Sequence, residues 1–265
     1  MLDASKAITS SKNPLVKRFR KLHQTKERHR QDRFLLEGTH LIQEACAVAY
    51  PIEQVAVTDR WCHTYPGLLA QLASLDIPTR LVNADVLRTM CTTASPDGVA
   101  AIALRQLPTE PAGTPRLGIA LERLQDPGNL GTIIRTAAAA GCDRVWLTAD
   151  SVDPDHPKVL RSTAGQWFRL PMQTVDSLQQ LADFKDRQVQ LVATTASAEL
   201  SYWQLDLRQP TIFLMGNEGG GLSPAAQELA THCARIPLAA GVESLNVAIA
   251  TALLLYEARR QQSWT

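Results

Sequence analysis

The chain has 265 residues, of which 45% are hydrophobic and 20% charged, with a formal net charge of +1. That is globular composition, which excludes disorder as the dominant state, and the 14 Gly and 15 Pro are scattered without the period of a fibrous protein. The best apolar run, 247–256, is far shorter than the ~20 residues of a membrane span, and the opening MLDASKAITSSKNP lacks the apolar core of a signal peptide, so the expected location is cytoplasmic.

The average charge hides a split. Residues 1–33 hold ten Lys/Arg (6, 12, 17, 18, 20, 21, 26, 28, 30 and 33) against Asp3, Glu27 and Asp32, a net +7 that leaves −6 for the rest. Such asymmetry points to a polyanion partner for this basic leader, against the blander possibility of a solvated helix. Within and after the leader, periodicity predicts a helix over 14–24, a strand at 33–37 and a helix at 39–49. Then come a strand at 52–57, a helix at 68–75, a strand at 80–82, a helix at 84–90 and a strand at 98–104. Together these make a small α/β domain over 1–104. RQLPTEPAGTPR, 105–116, has three prolines and reads as a linker.

The remainder, 117–265, alternates again. Strands are expected at 117–121, 144–148, 188–194, 211–215 and 235–238. Helices are expected at 129–140, closed by Gly141, and at 158–167, 177–184, 223–230 (Pro224 suiting its first turn) and 244–260. Strands alternating with helices imply a mostly parallel sheet.

In such a sheet ligands bind beyond the carboxyl ends of the strands, and three of those ends carry unusual residues. LERLQDPGNLGTIIRTAAAAG, 121–141, sets Gly131 and Arg135 four apart on one helix face. TIFLMGNEGGGLSP, 211–224, is a strand, a glycine-rich loop and a helix. It is neither a Walker loop nor GxGxxG, and Glu218 inside it disfavours phosphate and favours hydroxyl, amine or sulfonium groups. RIPLAAGVESLNVAIATALLL, 235–255, brings Ser244 and Asn246 to the start of an apolar helix. A Ser there suits capping, while an Asn inside the first turn needs a partner. The five cysteines and six histidines show neither CxxC nor HExxH spacing, so no disulfide framework and no metal site are expected. No Ser-His-Asp set, paired carboxylates or Cys-His nucleophile stands out, and His156 reads as a loop residue.

In order and spacing, these segments resemble the three motifs of the SpoU (TrmH-like) family of RNA ribose 2′-O-methyltransferases, part of the SPOUT superfamily. The matching residues are Asn129, Gly131 and Arg135; Gly216-Asn217-Glu218-Gly219 with Gly221-Leu222; and Ile236-Pro237 with Glu243-Ser244-Leu245-Asn246-Val247. Residues 158–165, KVLRSTAG, also look like a family segment. The resemblance covers 117–261, and the preceding part is similar to the small substrate-binding domain of one branch. It implies a methyltransferase domain with a parallel sheet and a trefoil knot behind a small α/β RNA-binding domain. It further implies S-adenosylmethionine as cofactor, an RNA ribose 2′-hydroxyl as acceptor (ribosomal RNA ahead of transfer RNA) and a homodimer. By position it assigns the reaction centre to Asn129, Arg135, Glu218, Ser244 and Asn246. The cofactor pocket falls to Thr194, Thr195, Leu214, Gly216, Asn217, Ile236, Leu238 and Leu245. Leu238 stands where many relatives carry Met, a swap that conserves volume. A guanidinium is a poor base, so Arg135 is expected to orient the ribose and steady a developing alkoxide. Two alternatives are a non-catalytic RNA-binding protein of the same fold, which leaves the three motifs unexplained, and another nucleotide-using α/β enzyme, which leaves Arg135 and Asn246 unexplained.

Overall fold

The computed structural model describes residues 7–108 and 113–262, so Asp3 and Lys6 of the leader and 109–112 of the linker lie outside the described residues. The chain forms two compact units. One is built from residues up to 106 together with Asp153–Phe168, the other from Leu107–Val152 and the residues from 169 onward.

In the first unit, α1 (Pro14–Lys21) starts at Asn13, whose Oδ1 accepts from the Leu15 amide at 2.9 Å, with Pro14 in the first turn. Its Val16 and Phe19, with Leu22 just beyond, are fully buried against Leu35, Ala56, Val82, Leu87 and Met90. The leader is therefore a docked element, not a free helix. The helix expected over 14–24 ends at Lys21 and a second, α2 (Thr25–Gln31), follows. The sheet has the order β1-β4-β2-β3, with β1 (Arg33–Glu37) and β2 (Ile52–Val57) antiparallel to β4 (Val99–Leu104) and β3 (Thr79–Leu81) parallel to β2. The helices are α3 (Thr39–Ala47), α4 (Asp59–Thr64), α5 (Pro66–Ser74) and α6 (Ala84–Met90). Sequence periodicity missed α4, which is too short to show a period.

The segment Asp153–Phe168 joins this unit through charge and rings. The fully buried Arg28 donates from Nε to Asp155 Oδ1 at 2.8 Å and from Nη2 to Asp153 Oδ2 at 2.9 Å, and Arg105 pairs with Asp155 from the other side. Burial pushes the Asp155 carboxyl above its ordinary value, and the neighbouring Asp153 charge adds to it. His29, Asp153 and Asp155 come within 4.8 Å of one another, but the two guanidinium groups already face these carboxylates, so the cluster is an ion-pair network. The Trp167 ring lies 5.0 Å from that of Phe34. His156 caps α8 (Pro157–Ser162), its Nδ1 accepting from the Lys158 amide at 3.1 Å. The single helix expected over 158–167 is corrected: α8 stops at Ser162, Ala164 and Gly165 take φ of +49° and +82°, and a 3-10 turn follows at Gln166–Phe168.

The second unit is one seven-stranded sheet, all of its pairs parallel, in the order β7-β6-β5-β10-β8-β11-β9. Its centre is β5 (Leu117–Leu121), β6 (Arg144–Thr148) and β10 (Thr211–Met215), each buried along its whole length. That is why they read as apolar runs rather than alternations. Around them lie β7 (Met172–Val175), β8 (Gln190–Thr194), β9 (Leu200–Ser201) and β11 (His232–Arg235). The helices are α7 (Pro127–Ala139), α9 (Asp183–Asp186), α10 (Pro224–Leu229) and α11 (Val247–Gln261). Three expectations change. The strand expected at 235–238 lies instead at His232–Arg235 and ends before Pro237, which has no N–H to give a ladder. The helix at 177–184 is a 3-10 turn, Leu178–Leu181, followed by α9. The helix expected from 244 begins at Val247. Strands β7 and β9 were not expected; they are short edge strands whose polar positions hide the pattern. No helix among the described residues is long and apolar enough to cross a membrane.

Candidate active site

The chain leaves β5 toward β6 on one side of the sheet, while β10 leads to β11 on the other. The carboxyl ends of β5 and β10 therefore flank the point where the connections diverge, the place where parallel sheets open a crevice. A cavity of about 280 Å³ lies there. The loop after β8 contributes Thr194 and Thr195, and the loop after β10 contributes Gly216, Asn217 and Glu218. The 236–246 stretch contributes Ile236, Leu238, Ser244 and Leu245. Met215, Glu243, Val247 and Ala250 also line it; Glu243 and Val247 belong to the third motif, whereas Ala250 was not singled out in the sequence. The lining holds two carboxylates and no Lys or Arg among the described residues.

The glycine-rich loop is shaped from within. Asn217 Oδ1 accepts from the Gly219 and Gly220 amides at 2.8 and 3.2 Å, while its Nδ2 donates to the Arg123 carbonyl at 2.7 Å. A Cβ at Gly216 would meet the carbonyl carbon of Gly221 at 2.0 Å and the Leu222 amide at 2.2 Å. Gly216 thus makes room for the chain's own backbone as well as for a ligand. A buried acid anchors the far end: Glu122, at the end of β5, accepts from the Ser223 amide and hydroxyl, both at 2.7 Å. This pair escaped the sequence reading, since its members lie 101 residues apart; an acid directly after an apolar strand was the available signal.

Three expected reaction-centre residues meet at the rim. Asn246 Nδ2 donates to Asn129 Oδ1 at 2.9 Å, and Asn129 Nδ2 donates to Glu218 Oε1 at 3.0 Å. Asn246 is also the cap of α11, its Oδ1 accepting from the Ala248 and Ile249 amides at 2.9 and 3.4 Å. The polar residue expected inside the first turn is in fact the capping residue, and the partner it required is Asn129. Asn129 sits in the first turn of α7, behind the cap Asp126. Arg135 lies further along α7, exposed, and makes no hydrogen bond or ion pair with any described residue; Gly131 on the same helix is buried. The Leu214 side chain is in the core beside Ala120 and Ala193, under the site rather than in its wall. No cysteine is among the described residues that line the cavity; burial pushes the Cys142 thiol up to about 12, and Cys91 lies in the first unit's core.

Fold and site define an α/β domain with a small-molecule pocket at the carboxyl ends of a parallel sheet, its lining suited to a cation and not to a phosphate. Residues 116–256 match the SpoU rRNA Methylase family, and residues 13–101 match the MRM3-like substrate binding domain. The chain belongs to the SpoU rRNA methylase family. It is 50% identical over 258 residues, 97% of this chain and 94% of the relative, to an uncharacterized tRNA/rRNA methyltransferase of Synechocystis sp.. It is 34% identical to the 23S rRNA (guanosine(2553)-2′-O)-methyltransferase RlmP of Bacillus subtilis, over 96% of this chain and 99% of that one. Among solved structures, the AdoMet-bound rRNA methyltransferase from Sinorhizobium meliloti superposes with a TM-score of 0.85 at 33% identity, covering 96% of this chain and 97% of that one.

Proposed function

We propose that this chain transfers a methyl group from S-adenosylmethionine to a ribose 2′-hydroxyl of ribosomal RNA, working as a cytoplasmic homodimer. The observation that carries the reading is the cavity at the ends of β8, β10 and β11, with apolar Ile236, Leu238 and Leu245 for a flat ring and acidic Glu218 and Glu243 for a cation. The support for ribosomal RNA is the family match together with relatives such as the B. subtilis enzyme, similar along almost the whole chain. For the knotted carboxyl end, the support is that β10 enters the middle of the sheet between strands that precede it in sequence.

When bound, S-adenosylmethionine supplies a methyl group on a sulfonium, an electrophile that needs an oriented oxygen and little else. The protein's task is placement. Thr194, Thr195 and the backbone of Gly216, Ile236, Leu238 and Leu245 hold the donor, and Asn217 keeps the loop closed around it. Asn129, fixed between Glu218 and Asn246, presents a rigid polar edge to the acceptor. Ser244 adds a hydroxyl at the rim. Arg135 binds the RNA beside the reacting ribose, orients the 2′-hydroxyl and stabilises charge as it develops on the oxygen. That Arg135 has no partner among the described residues supports a group kept free for RNA or for the second copy. The support for a second copy is an apolar face of α11, where Ile249, Leu253 and Tyr256 are 53%, 39% and 47% exposed.

Replacing Arg135 by Ala tests the reading. Methyl transfer to ribosomal RNA is expected to fall at least a hundredfold, roughly the loss of one charge-stabilising donor, with S-adenosylmethionine affinity within a few-fold of wild type by calorimetry. A folded Arg135→Ala variant of near-normal activity removes Arg135 from the reaction. Absence of cofactor binding in the wild type leaves the non-catalytic alternative.

A further inference from the structure

A larger cavity, of about 560 Å³, lies wholly within the first unit, between α4, α6 and the loop before β4. Its size is ordinary for a small-molecule site, and no step proposed above uses it. The lining combines three chemistries. Trp61 and Leu87 are buried and give an apolar floor, and Tyr65, 36% exposed, extends it, its ring 5.5 Å from that of Trp61 and tilted by 38°. Arg60 and Arg88 are exposed in the lining. The Arg60 guanidinium makes no hydrogen bond or ion pair with a described residue. Arg88 pairs at 3.0 Å with Asp85, itself 84% exposed, and such a surface pair is exchanged at little cost. Finally, Asp97 adds an exposed carboxylate, held in place by the Thr39 amide at 2.8 Å.

These parts are pre-organised. Thr58 caps α4 and its hydroxyl donates to the Gly98 carbonyl at 3.3 Å, tying the helix to the loop. Trp61 Nε1 donates to Thr39 Oγ1 at 2.8 Å, which fixes the indole. A Cβ at Gly98, where φ is +113°, would run into Trp61 Cβ at 2.8 Å, so loop and ring are fitted to one another.

An aromatic platform beside two cations is what an unstacked nucleotide asks for: a ring for the base and guanidinium groups for the phosphate. A carboxylate in the same wall repels a bare anion and accepts N–H groups. Guanine presents two adjacent N–H donors on its Watson–Crick edge, N1 and N2, which match the two oxygens of one carboxylate; uracil presents one. We propose that this cavity captures an unpaired guanosine of the RNA, with the base against Tyr65 and facing Asp97, and the phosphate on Arg60 and Arg88. The inference rests on the reading that the chain acts on RNA. It adds a second point of recognition, separate from the ribose that is methylated.

The probes are fluorescein-labelled UUGUUU and UUUUUU, with affinity read by anisotropy on the full-length protein. The guanosine-containing strand is expected to bind at least several-fold more tightly. Replacing Tyr65 by Ala, or Arg60 by Ala, is expected to weaken it about tenfold, the ordinary cost of losing a stacking or phosphate contact. Asp97→Asn keeps an oxygen for the Thr39 amide and removes the carboxylate, so it should abolish the preference for guanosine while leaving UUUUUU binding unchanged. A strand carrying 6-thioguanosine should cross-link within residues 58–65 or 84–98. Equal binding of the two strands, binding of neither, variants indistinguishable from wild type, or cross-links only elsewhere overturn the proposal. Calorimetry with S-adenosylmethionine on the same preparation keeps the two readings apart: its failure sinks methyl transfer and leaves the guanosine preference standing.

Discussion

Asn246 carries two jobs on one amide: its oxygen caps α11 and its nitrogen fixes Asn129. The jobs are separable. In Asn246→Ala both are lost, and loss of such a cap costs about 1 kcal/mol, a fall of a few degrees in Tm for a protein of this size. In Asn246→Asp the cap survives but the donor does not, so Tm should stay near wild type while methyl transfer falls at least tenfold. Parallel loss of stability and activity in both variants would reduce Asn246 to a cap. At Gly216 the outcome is blunter. Val there must displace the backbone of Gly221 and Leu222, so S-adenosylmethionine binding should be lost in a protein whose circular dichroism is otherwise normal; unchanged calorimetric affinity would move the pocket elsewhere. At this scale the sequence was informative where a polar residue stands in a glycine-containing loop or at the start of a helix beyond the sheet, as at Asn129, Glu218 and Asn246. It was silent on Glu122 and Ser223, whose pairing needs the sheet to be closed first, and on the inward reason for Gly216.

Among the elements, the basic leader shows how charge counts mislead. Of its ten Lys/Arg, Arg28 is buried between carboxylates, Arg30 pairs with Glu27, and Arg18 and Arg33 both pair with Glu53. Lys12, Lys17, Arg20, Lys21 and Lys26 are exposed and make no hydrogen bond or ion pair through their side chains with described residues. Changing Lys17, Arg20, Lys21 and Lys26 together to Gln should weaken RNA binding and flatten its salt dependence, with a slope change near ~0.7 per lost single-strand contact. Turnover at saturating RNA should stay close to wild type. If affinity and salt slope both match wild type, α1 and α2 serve only the core that Val16 and Phe19 enter. Periodicity read the buried strands correctly because β5, β6 and β10 are apolar throughout. It failed where burial is uneven, as in β11, where only Ala234 is buried, and where a chain reversal at Ala164 interrupts an otherwise helical composition.

For the whole molecule, the exposed face of α11 makes a prediction about assembly. Ile249, Leu253 and Tyr256 recur at helical spacing and share a shallow pocket with Tyr202, whose ring lies 5.3 Å from that of Trp203, itself 62% exposed. If the proposed dimer forms through this face, Leu253→Asp should leave only monomer by sedimentation and lower methyl transfer at dilute protein, while Leu255→Val, a core change, should leave the assembly as in wild type. A wild-type monomer at micromolar concentration would refute the assignment. The packing of Asp153–Phe168 with the first unit was not legible in the sequence, since nothing local says which carboxylates Arg28 will find. This has a consequence for biosynthesis. When a ribosome has released everything up to residue 106, the nascent first unit contains a guanidinium destined for its interior and neither aspartate that neutralises it. The ion-pair network that neutralises Arg28 can therefore close only after some sixty further residues have emerged, so the last step in completing the first unit follows synthesis of part of the second.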